Sequence, residues 1–214
     1  MRLAELSERS GVPTATIKYY LRERLLPPGT RVTATQSEYG EDHLRRLRLV
    51  RALIQVGRMP VATAREVLAA TDDETLDQNT RLGAAVWALP HGPEPDEDDP
   101  ATAAARGQVD TLLERLQWQH SLDSGAAAPA YGMLVAAVAT LARLGYPHAT
   151  DHLEFQARLA GRLAEADLDL VETYRTPAER IEAAVALTVL YEPVLQSLRR
   201  LAQAEESTRR FGGK

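Results

Sequence analysis

The run Gly11-Val12-Pro13-Thr14-Ala15-Thr16-Ile17-Lys18-Tyr19-Tyr20 decides how the first third of the chain folds. It predicts a glycine turn between a helix over about 2–10 and a second helix over about 13–24. Proline suits the start of that second helix, because its missing N–H would have no partner there. Ile17 and Leu21 are four residues apart and face a core, so polar side chains cover the opposite face. A short helix, a tight turn and a polar second helix are typical of proteins that read the DNA major groove.

The next stretch predicts a wing and two further helices. The β-branched and polar residues of 30–39 favour a hairpin. Acidic residues at 41–42 mark the start of a helix that ends at Gly57, and a short helix follows Pro60. The fold class is therefore mainly α, with a winged helix-turn-helix of four helices and a small β wing over 1–70.

The charge is divided unevenly along the chain. Its net value is −5, which is unusual for a protein that binds a polyanion. Residues 1–70 hold 12 Lys and Arg against 7 Asp and Glu, whereas 71–214 hold 13 against 23. The excess positive charge thus coincides with the helix-turn-helix pattern, as binding to DNA phosphates requires.

Several motifs in order resemble the N-terminal domain of MerR-family transcriptional regulators. Thr16-Ile17-Lys18-Tyr19-Tyr20 is similar to the family's Thr-Leu-Arg-Tyr-Tyr, and Leu25-Leu26-Pro27-Pro28 closes the helix as in the family. A wing, Tyr39 before an acidic helix start, and Arg45-Arg46-Leu47 follow in the same order. The resemblance covers about 70 residues and implies DNA binding.

The resemblance also implies roles for individual residues. Lys18 stands where the family's recognition helix carries an Arg toward the major groove, and Tyr19 and Tyr20 stand where phenolic hydroxyls meet phosphates. The DNA-contacting residues predicted in this way are Thr14, Ala15, Thr16, Lys18, Tyr19, Tyr20, Arg22, Arg31, Ser37 and Tyr39.

The wing departs from the family pattern Gly-Tyr-Arg-x-Tyr, because this chain reads Thr35-Gln36-Ser37-Glu38-Tyr39. Ser37 replaces the Arg that would contact the DNA backbone. Loss of one such contact weakens binding and flattens its salt dependence by about one unit of slope. Arg31, at the base of the wing, either takes over this contact or is a solvated loop charge.

The remainder of the chain predicts a second, all-helical domain. Residues 71–100 read as a connecting segment with an acidic, proline-rich linker, and 101–205 as an all-α domain for effector binding, dimerisation or both. Thr176-Pro177-Ala178-Glu179 is the pattern of a capping box. Pro193 is expected to break or kink the helix that begins there, and 206–214 to form a flexible tail.

The aromatic residues of this domain are the clue to regulation. An aromatic residue on a helical stripe is usually core, which is the interpretation for Phe155. Trp118 ends a helix, and Tyr191 precedes Glu192 at the expected break, where a cationic, apolar ligand could bind. Glu192 fits a plain surface charge as well, and Ala-rich helices also pack without a cavity. The predicted effector-binding residues are Trp118, Tyr131, Tyr191 and Glu192, and the predicted effector is a mostly apolar organic molecule.

Composition argues against several classes of function. The chain has no cysteine, and therefore no disulfide, thiolate metal site or iron–sulfur cluster. His148 and His152 are four residues apart, but helix capping or exposure explains them more simply, so no metal and no other cofactor is predicted. No phosphate loop or nucleophile elbow suggests an enzyme. Without a signal peptide or a run of about 18 apolar residues, the protein is expected to be cytoplasmic, with no membrane partner.

The resemblance implies that a homodimer binds a palindromic operator in double-stranded DNA and that RNA polymerase engages the distorted promoter. The family's long dimerisation helix after residue 70 has no counterpart in 72–100. We therefore expect the dimer contact from 101–121 or from the C-terminal helices, and simple repression stays open. The alternative is a DNA-anchored adaptor that binds another protein and no small molecule. An enclosed apolar pocket would favour a sensor, and an exposed apolar patch would favour an adaptor.

Overall fold

The computed structural model of the protein describes residues 1–33, 36–92 and 94–212, and it is mainly helical, as predicted. Its helices are α1 (Leu3–Ser10), α2 (Thr14–Arg22), α3 (Glu41–Arg51), α4 (Val61–Asp72), α5 (Gln78–Trp87), α6 (Pro100–Leu116), α7 (Gln119–Ser124), α8 (Pro129–Arg143), α9 (Thr150–Glu172) and α10 (Pro177–Phe211). Two short strands, β1 (Thr30–Arg31) and β2 (Ser37–Glu38), lie between α2 and α3. A π-helical turn, Ala52–Val56, follows α3, and a 3₁₀ turn, Gly125–Ala127, follows α7.

The chain forms two compact units. Unit 1 comprises Met1–Ala88 and Val171–Lys214, and unit 2 comprises Leu89–Leu170. The C-terminal helix α10 therefore packs with the N-terminal domain, whereas residues 101–205 were predicted to form one separate domain. The reason is that the first half of α10 buries an apolar face, which includes Ile181, Val185 and Val189, in unit 1.

The helix-turn-helix of unit 1 follows from its apolar pattern. Leu6 of α1 and Ile17 of α2 are fully buried, and burial of a side chain of this size contributes about 1.5–3 kcal/mol. Between the helices, Gly11 adopts a φ of 65°, which disfavours any residue with a Cβ. Leu25 and Leu26, in the loop that follows α2, are also fully buried and anchor that loop in the core of unit 1.

The predicted wing is a two-stranded antiparallel sheet in which Thr30 pairs with Glu38 and Arg31 with Ser37. Thr35, which the sequence analysis included in the wing, lies outside the described residues. The base of the wing is tied to the first residue, because the backbone N–H of Tyr39 donates to the carbonyl of Met1 at 2.8 Å. The Met1 ammonium in turn donates to the Tyr39 carbonyl at 2.8 Å.

A buried ion-pair cluster joins α10 to α3. The Glu182 carboxylate accepts a hydrogen bond from Arg45 Nε at 2.5 Å and lies 3.5 Å from Arg46 Nε. Arg46 also donates to Asp72 and, at 3.4 Å, to Thr71 Oγ1. Glu182 and Arg46 are buried, with relative exposures of 9% and 7%. Buried charges of this kind are costly unless they are paired, so the cluster fixes one position of α10 on α3.

The backbone of α10 begins as predicted and continues further than predicted. Thr176 Oγ1 accepts from the Glu179 N–H at 3.2 Å, and the Glu179 carboxylate accepts from the Thr176 N–H at 3.0 Å, which confirms the capping box. The backbone hydrogen bond lowers the pKa of Glu179. The helix is not broken at Pro193, and it extends to Phe211, where a flexible tail was predicted. A 35-residue helix tolerates the missing N–H because the turns on both sides hold it.

Unit 2 is built around α6 and α8, which pack on each other along one apolar face. Its core cluster consists of Ala105, Val109, Leu113, Tyr131, Val135, Val138 and Ala139. The Tyr131 hydroxyl donates to Asp110 Oδ1 at 2.7 Å, and burial together with this bond raises the pKa of the phenol. Phe155 of α9 was predicted to be core but is 64% exposed, because the apolar stripe of α9 faces outward.

By length and composition alone, α10 could cross a membrane, and the bent pair of helices over 119–143 passes the same test if it counts as one span. Core helices of proteins that do not enter membranes also pass this test. In α10 the buried Glu182 and the packed residues up to Val189 identify the first half as a core helix of unit 1.

The contact of α10 with the π-helical turn can be tested at Gly57. A Cβ on Gly57 would lie 2.7 Å from both the Leu53 carbonyl and Val189 Cγ1. Gly57→Ala should therefore lower the free energy of unfolding of unit 1 by about 1–3 kcal/mol. Gly83→Ala in α5 is the control, because its Cβ meets nothing within 4 Å, and it should stabilise unit 1 by about 0.5–1 kcal/mol. Urea denaturation followed by Trp87 fluorescence in a Trp118→Phe background measures both, and equal effects would contradict the contact.

The ion-pair cluster gives a second test. Glu182→Ala leaves Arg45 and Arg46 without their shared carboxylate and should destabilise unit 1 by about 3 kcal/mol. Glu192→Ala removes an exposed carboxylate from the same helix and should change the free energy of unfolding by less than about 0.5 kcal/mol. The same Trp87 fluorescence measurement applies. A Glu182 variant as stable as the Glu192 variant would show that the cluster does not hold α10.

Candidate nucleic-acid interface

Helix α2 presents the residues that were predicted to read bases. Thr14, Ala15, Lys18 and Arg22 are exposed, and Thr16 is half-buried. They share α2 with the buried Ile17 and Tyr20, so the helix has one face in the core and one face in solvent. The solvent face of α2 therefore carries four of the predicted contact residues, as a helix that enters a groove requires.

The turn that precedes α2 is held by short polar contacts. Ser7 Oγ donates to the Val12 carbonyl at 2.6 Å, and Ser10 Oγ accepts from the Val12 N–H at 3.2 Å. Arg51 Nη1 of α3 donates to the Ser10 carbonyl at 3.2 Å. Helix α2 is therefore oriented by α1 and α3 together, as a base-reading helix requires.

The two neighbouring tyrosines differ in exposure. Tyr19 is half-buried, and the centroid of its ring lies 5.9 Å from that of Tyr20. The Arg22 guanidinium carbon lies 5.2 Å from the centroid of the Tyr19 ring, over its face. Tyr20 is only 5% exposed, and burial raises the pKa of its phenol. The Tyr20 ring is thus part of the core, and only its hydroxyl remains for a phosphate.

The predicted DNA-contacting residues of the wing also differ in exposure. Arg31 is exposed and lies opposite the half-buried Ser37 in the sheet register, so one cation remains at the position where the family's Arg is missing. Tyr39 is 9% exposed and packs edge-on against His43, with ring centroids 5.1 Å apart. Burial and this packing favour a structural role for Tyr39 over a direct contact with DNA.

Two further exposed arginines of unit 1 were not among the predicted DNA-contacting residues. Arg24 follows α2 and Arg58 follows the π-helical turn, and both are exposed with left-handed backbone conformations, at φ of 60° and 50°. Residues other than glycine adopt this conformation at a cost of about 1 kcal/mol or more. No sequence pattern marks such positions, because glycine or asparagine would be expected there.

The charge division follows the structural units. Unit 1 holds 20 Lys and Arg against 17 Asp and Glu, whereas unit 2 holds 5 against 13. The unit that contains the helix-turn-helix is therefore the positive one, although α10 adds almost no net charge to it. An acidic unit 2 would be repelled by DNA phosphates.

The predicted effector residues lie in different units. Trp118 and Tyr131 belong to unit 2, and Tyr191 and Glu192 belong to unit 1. Tyr131 is a core residue bound to Asp110, whereas Trp118 is 36% exposed. A partly open cleft of about 290 Å³ in unit 2 is lined by neither aromatic. The lining residues are His91, Gly92, Glu94, Pro95, Glu97, Arg106, Ala126, Ala127, Ala128, Pro129, Gly132 and Met133.

The described residues contain no group of three or more His, Asp or Glu side chains that could hold a metal ion. His148 precedes α9 and its Nδ1 lies 2.8 Å from the Tyr146 carbonyl, whereas His152 is in the first turn of α9. The two histidines therefore do not share a helical face.

The comparisons with known proteins agree with this geometry. The family model for MerR HTH family regulatory proteins matches residues 1–71. The crystal structure of SCO5550 from Streptomyces coelicolor A3(2), a proposed transcriptional regulator, is similar over the whole chain, with 57% identity and a TM-score of 0.88. The matched region covers 100% of this chain and 99% of the SCO5550 chain. The chain belongs to the MerR family. No curated protein matches it.

Membership of the MerR family identifies the chain as a DNA-binding transcriptional regulator, as the sequence analysis predicted. The family match ends at residue 71, whereas the similarity to SCO5550 extends through unit 2 and α10. The similarity to SCO5550 therefore includes unit 2 and α10, which the family model does not match.

The exposed position of Lys18 on α2 gives a prediction for this MerR regulator. Lys18→Ala should reduce discrimination between operator and random DNA by about 1–3 kcal/mol, because a side chain at base edges carries sequence information. Lys18→Arg, which restores the residue type usual in the family, should retain most of it. Fluorescence anisotropy with both DNAs measures the ratio. Equal losses on both DNAs for Lys18→Ala would assign Lys18 to a phosphate.

Proposed function

We propose that this MerR-family regulator binds a palindromic operator in double-stranded DNA as a homodimer, in the cytoplasm. The observation that carries the proposal is the solvent face of α2, where Thr14, Ala15, Lys18 and Arg22 are exposed while α1 and α3 hold the helix. One such helix reads only a few base pairs, and a two-fold dimer doubles the site. The positive charge of unit 1 supports attraction to phosphates.

The dimer of this protein needs a contact different from the usual one. In the family a long helix after the DNA-binding domain joins the two subunits, but α5 has only 10 residues here and buries Ala85 within unit 1. A changed dimer contact alters how far the promoter can be distorted, and distortion costs on the order of 1–6 kcal/mol. If the protein represses by occupying the promoter, no distortion of the DNA is needed. If it activates, the bound dimer must also allow RNA polymerase to engage the promoter.

The second candidate function is that of an adaptor that recruits another protein. Exposed apolar side chains on α9 and α10 favour a protein contact, since Phe155, Leu198 and Leu201 are 64%, 57% and 64% exposed. The cleft in unit 2 is partly open, and an ion pair between Glu97 and Arg106 lines it. Binding of a mostly apolar effector at Trp118, Tyr131, Tyr191 and Glu192 stays a prediction, which a thermal shift on ligand addition would test.

The decisive experiment is protection mapping on DNA from the region upstream of the gene. We expect one protected segment with two-fold sequence symmetry and half-sites about 10 base pairs, or a multiple, apart. Mobility-shift assays with one half-site deleted supply the control, and binding to a single half-site with unchanged affinity would contradict the dimer.

The salt dependence of binding tests the wing. Arg31→Ala should lower the slope of log affinity against log salt by about 0.9, whereas Ser37→Arg, which restores the family residue, should raise it by about 0.9. Arg162→Ala, an exposed arginine in unit 2, should leave the slope unchanged. Titrations between low and moderate salt measure these slopes. An unchanged slope for Arg31→Ala would make Arg31 a solvated loop charge.

A further inference from the structure

The cleft of unit 2 lies between the start of α8 and the segment 94–99, which leads into α6. Asp99 at the end of this segment caps α6, since its carboxylate accepts from the Ala101 N–H at 2.8 Å. The same carboxylate accepts from Arg143 Nη1 of α8 at 3.0 Å. The segment is thus tied to both core helices of unit 2, and the cleft has a defined shape. Its volume of about 290 Å³ lies near the lower end of the range for small-molecule sites.

Close approaches between the two walls form the apolar part of the cleft. A Cβ on Gly132 would lie 3.6 Å from Pro95 Cδ, and a Cβ on Gly92 would lie 3.9 Å from Met133 Cγ. The alanines at 126–128 continue this surface beside the start of α8. A surface of small and aliphatic groups suits the apolar part of a small ligand.

Arg106 of α6 brings a guanidinium to the cleft. Its side chain is 26% exposed, and it forms an ion pair with Glu97, whose side chain is 66% exposed. Burial and the bond to Asp110 raise the pKa of the Tyr131 phenol, and the neighbouring Arg106 guanidinium opposes that rise. Arg106 is therefore held beside a buried pair, whereas the Glu97 end of the ion pair faces solvent.

The carboxylate of Glu97 can be exchanged for that of a ligand. An ion pair with a solvent-exposed partner contributes little to stability, because water competes with it and salt screens it. A free carboxylate can instead make two parallel hydrogen bonds with the guanidinium of Arg106. Once released, Glu97 stands with Glu94 on the segment that forms one wall of the cleft. Two carboxylates on one wall suit a cationic group.

The charge of unit 2 favours a ligand that carries both signs. Unit 2 holds 5 Lys and Arg against 13 Asp and Glu, so it repels a simple anion. A simple cation would pair with the carboxylates of the cleft and make no use of Arg106. A zwitterion has no net charge to be repelled, and it matches the guanidinium and the carboxylates together.

We propose that the cleft of unit 2 binds a free α-amino acid with an apolar side chain. The carboxylate of the amino acid replaces Glu97 on Arg106, and its ammonium group binds Glu94 and the released Glu97. Its side chain packs on Met133 and on the alanines at 126–128. This site goes beyond the proposed DNA-binding function, and it is tested without DNA, so a failure of either proposal leaves the other standing.

Calorimetric titration of the full chain tests the chemistry of the site. The probes are L-valine, L-leucine, L-methionine and L-phenylalanine, and at least one of them should bind with one molecule per chain. Isocaproate and isoamylamine are leucine without its ammonium and without its carboxylate. For a site that binds L-leucine, each should bind at least about tenfold more weakly, because one charge-assisted contact is lost. The other probes have analogues of the same two kinds.

Two results of this titration would overturn the proposal. An analogue that binds as tightly as its amino acid would make the cleft a site for a simple anion or a simple cation. Binding of all four amino acids with a Kd weaker than about 10 mM would leave the cleft without its proposed ligand.

Variants of the full chain locate the ligand. Arg106→Ala should weaken binding of the amino acid at least about tenfold. Glu94→Gln should also weaken it, but should leave the affinity for the carboxylate-only analogue unchanged. Ala127→Phe places an apolar ring in the cleft without removing a charge, and it should weaken binding as well. Arg162→Ala, which removes an exposed arginine of α9, is the control and should leave binding unchanged.

Circular dichroism verifies that the variants keep their helical content. If Arg106→Ala does not fold, Ala127→Phe decides, because Ala127 is exposed and the substitution removes no polar contact of the cleft. Unchanged binding of the amino acid to the folded variants would place the ligand outside the cleft and overturn the proposal.

Discussion

The carboxylate of Glu182 is the contact on which the rest of unit 1 depends. It lies between Arg45 and Arg46 of α3, and Arg46 continues the network to Thr71 and Asp72 at the end of α4. Burial makes the charges of Glu182 and Arg46 costly when they are unpaired, so their pairing stabilises one arrangement and penalises alternatives. Apolar packing of Val189 near Gly57 would by itself tolerate small rotations of α10, whereas three directional groups do not.

This constraint explains how the DNA-reading surface is supported. α3 packs against α1, and Arg51 of α3 donates a hydrogen bond to the Ser10 carbonyl at the end of α1. Because α10 is fixed on α3, a displacement of α10 would be transmitted through α3 toward the recognition helix α2. Coupling through contiguous packed helices is the simplest physical route by which a partner bound to α10 would alter DNA binding.

Local patterns in the sequence predicted the local structure well. Thr176 and Glu179 predicted the capping box, and the Gly11 turn and Ile17 predicted the helix-turn-helix, because these signals involve residues within one or two turns. The position of α10 was not predictable, since the pairing of Glu182 with Arg45 joins residues 137 positions apart. Arg45 and Arg46 were noted only as part of the family motif, and Phe155 on the outward stripe of α9 was predicted to be core. For the candidate site, exposure separated Lys18 from Tyr20 and Tyr39, which a motif alone treats alike.

The division of unit 1 into two stretches of chain has a consequence for its synthesis. Residues 1–88 leave the ribosome before α10, the helix that completes their fold, and all of unit 2 is made between them. At about 5–20 residues per second, the 123 residues from Leu89 to Phe211 take roughly 6–25 s to make. During that interval the α3 surface that α10 later covers is open to water and to chaperones. The nascent chain therefore has an incomplete unit 1 until α10 has been made. A reading frame that stops before α10 would yield a protein in which Glu182 does not pair with Arg45 and Arg46 of α3.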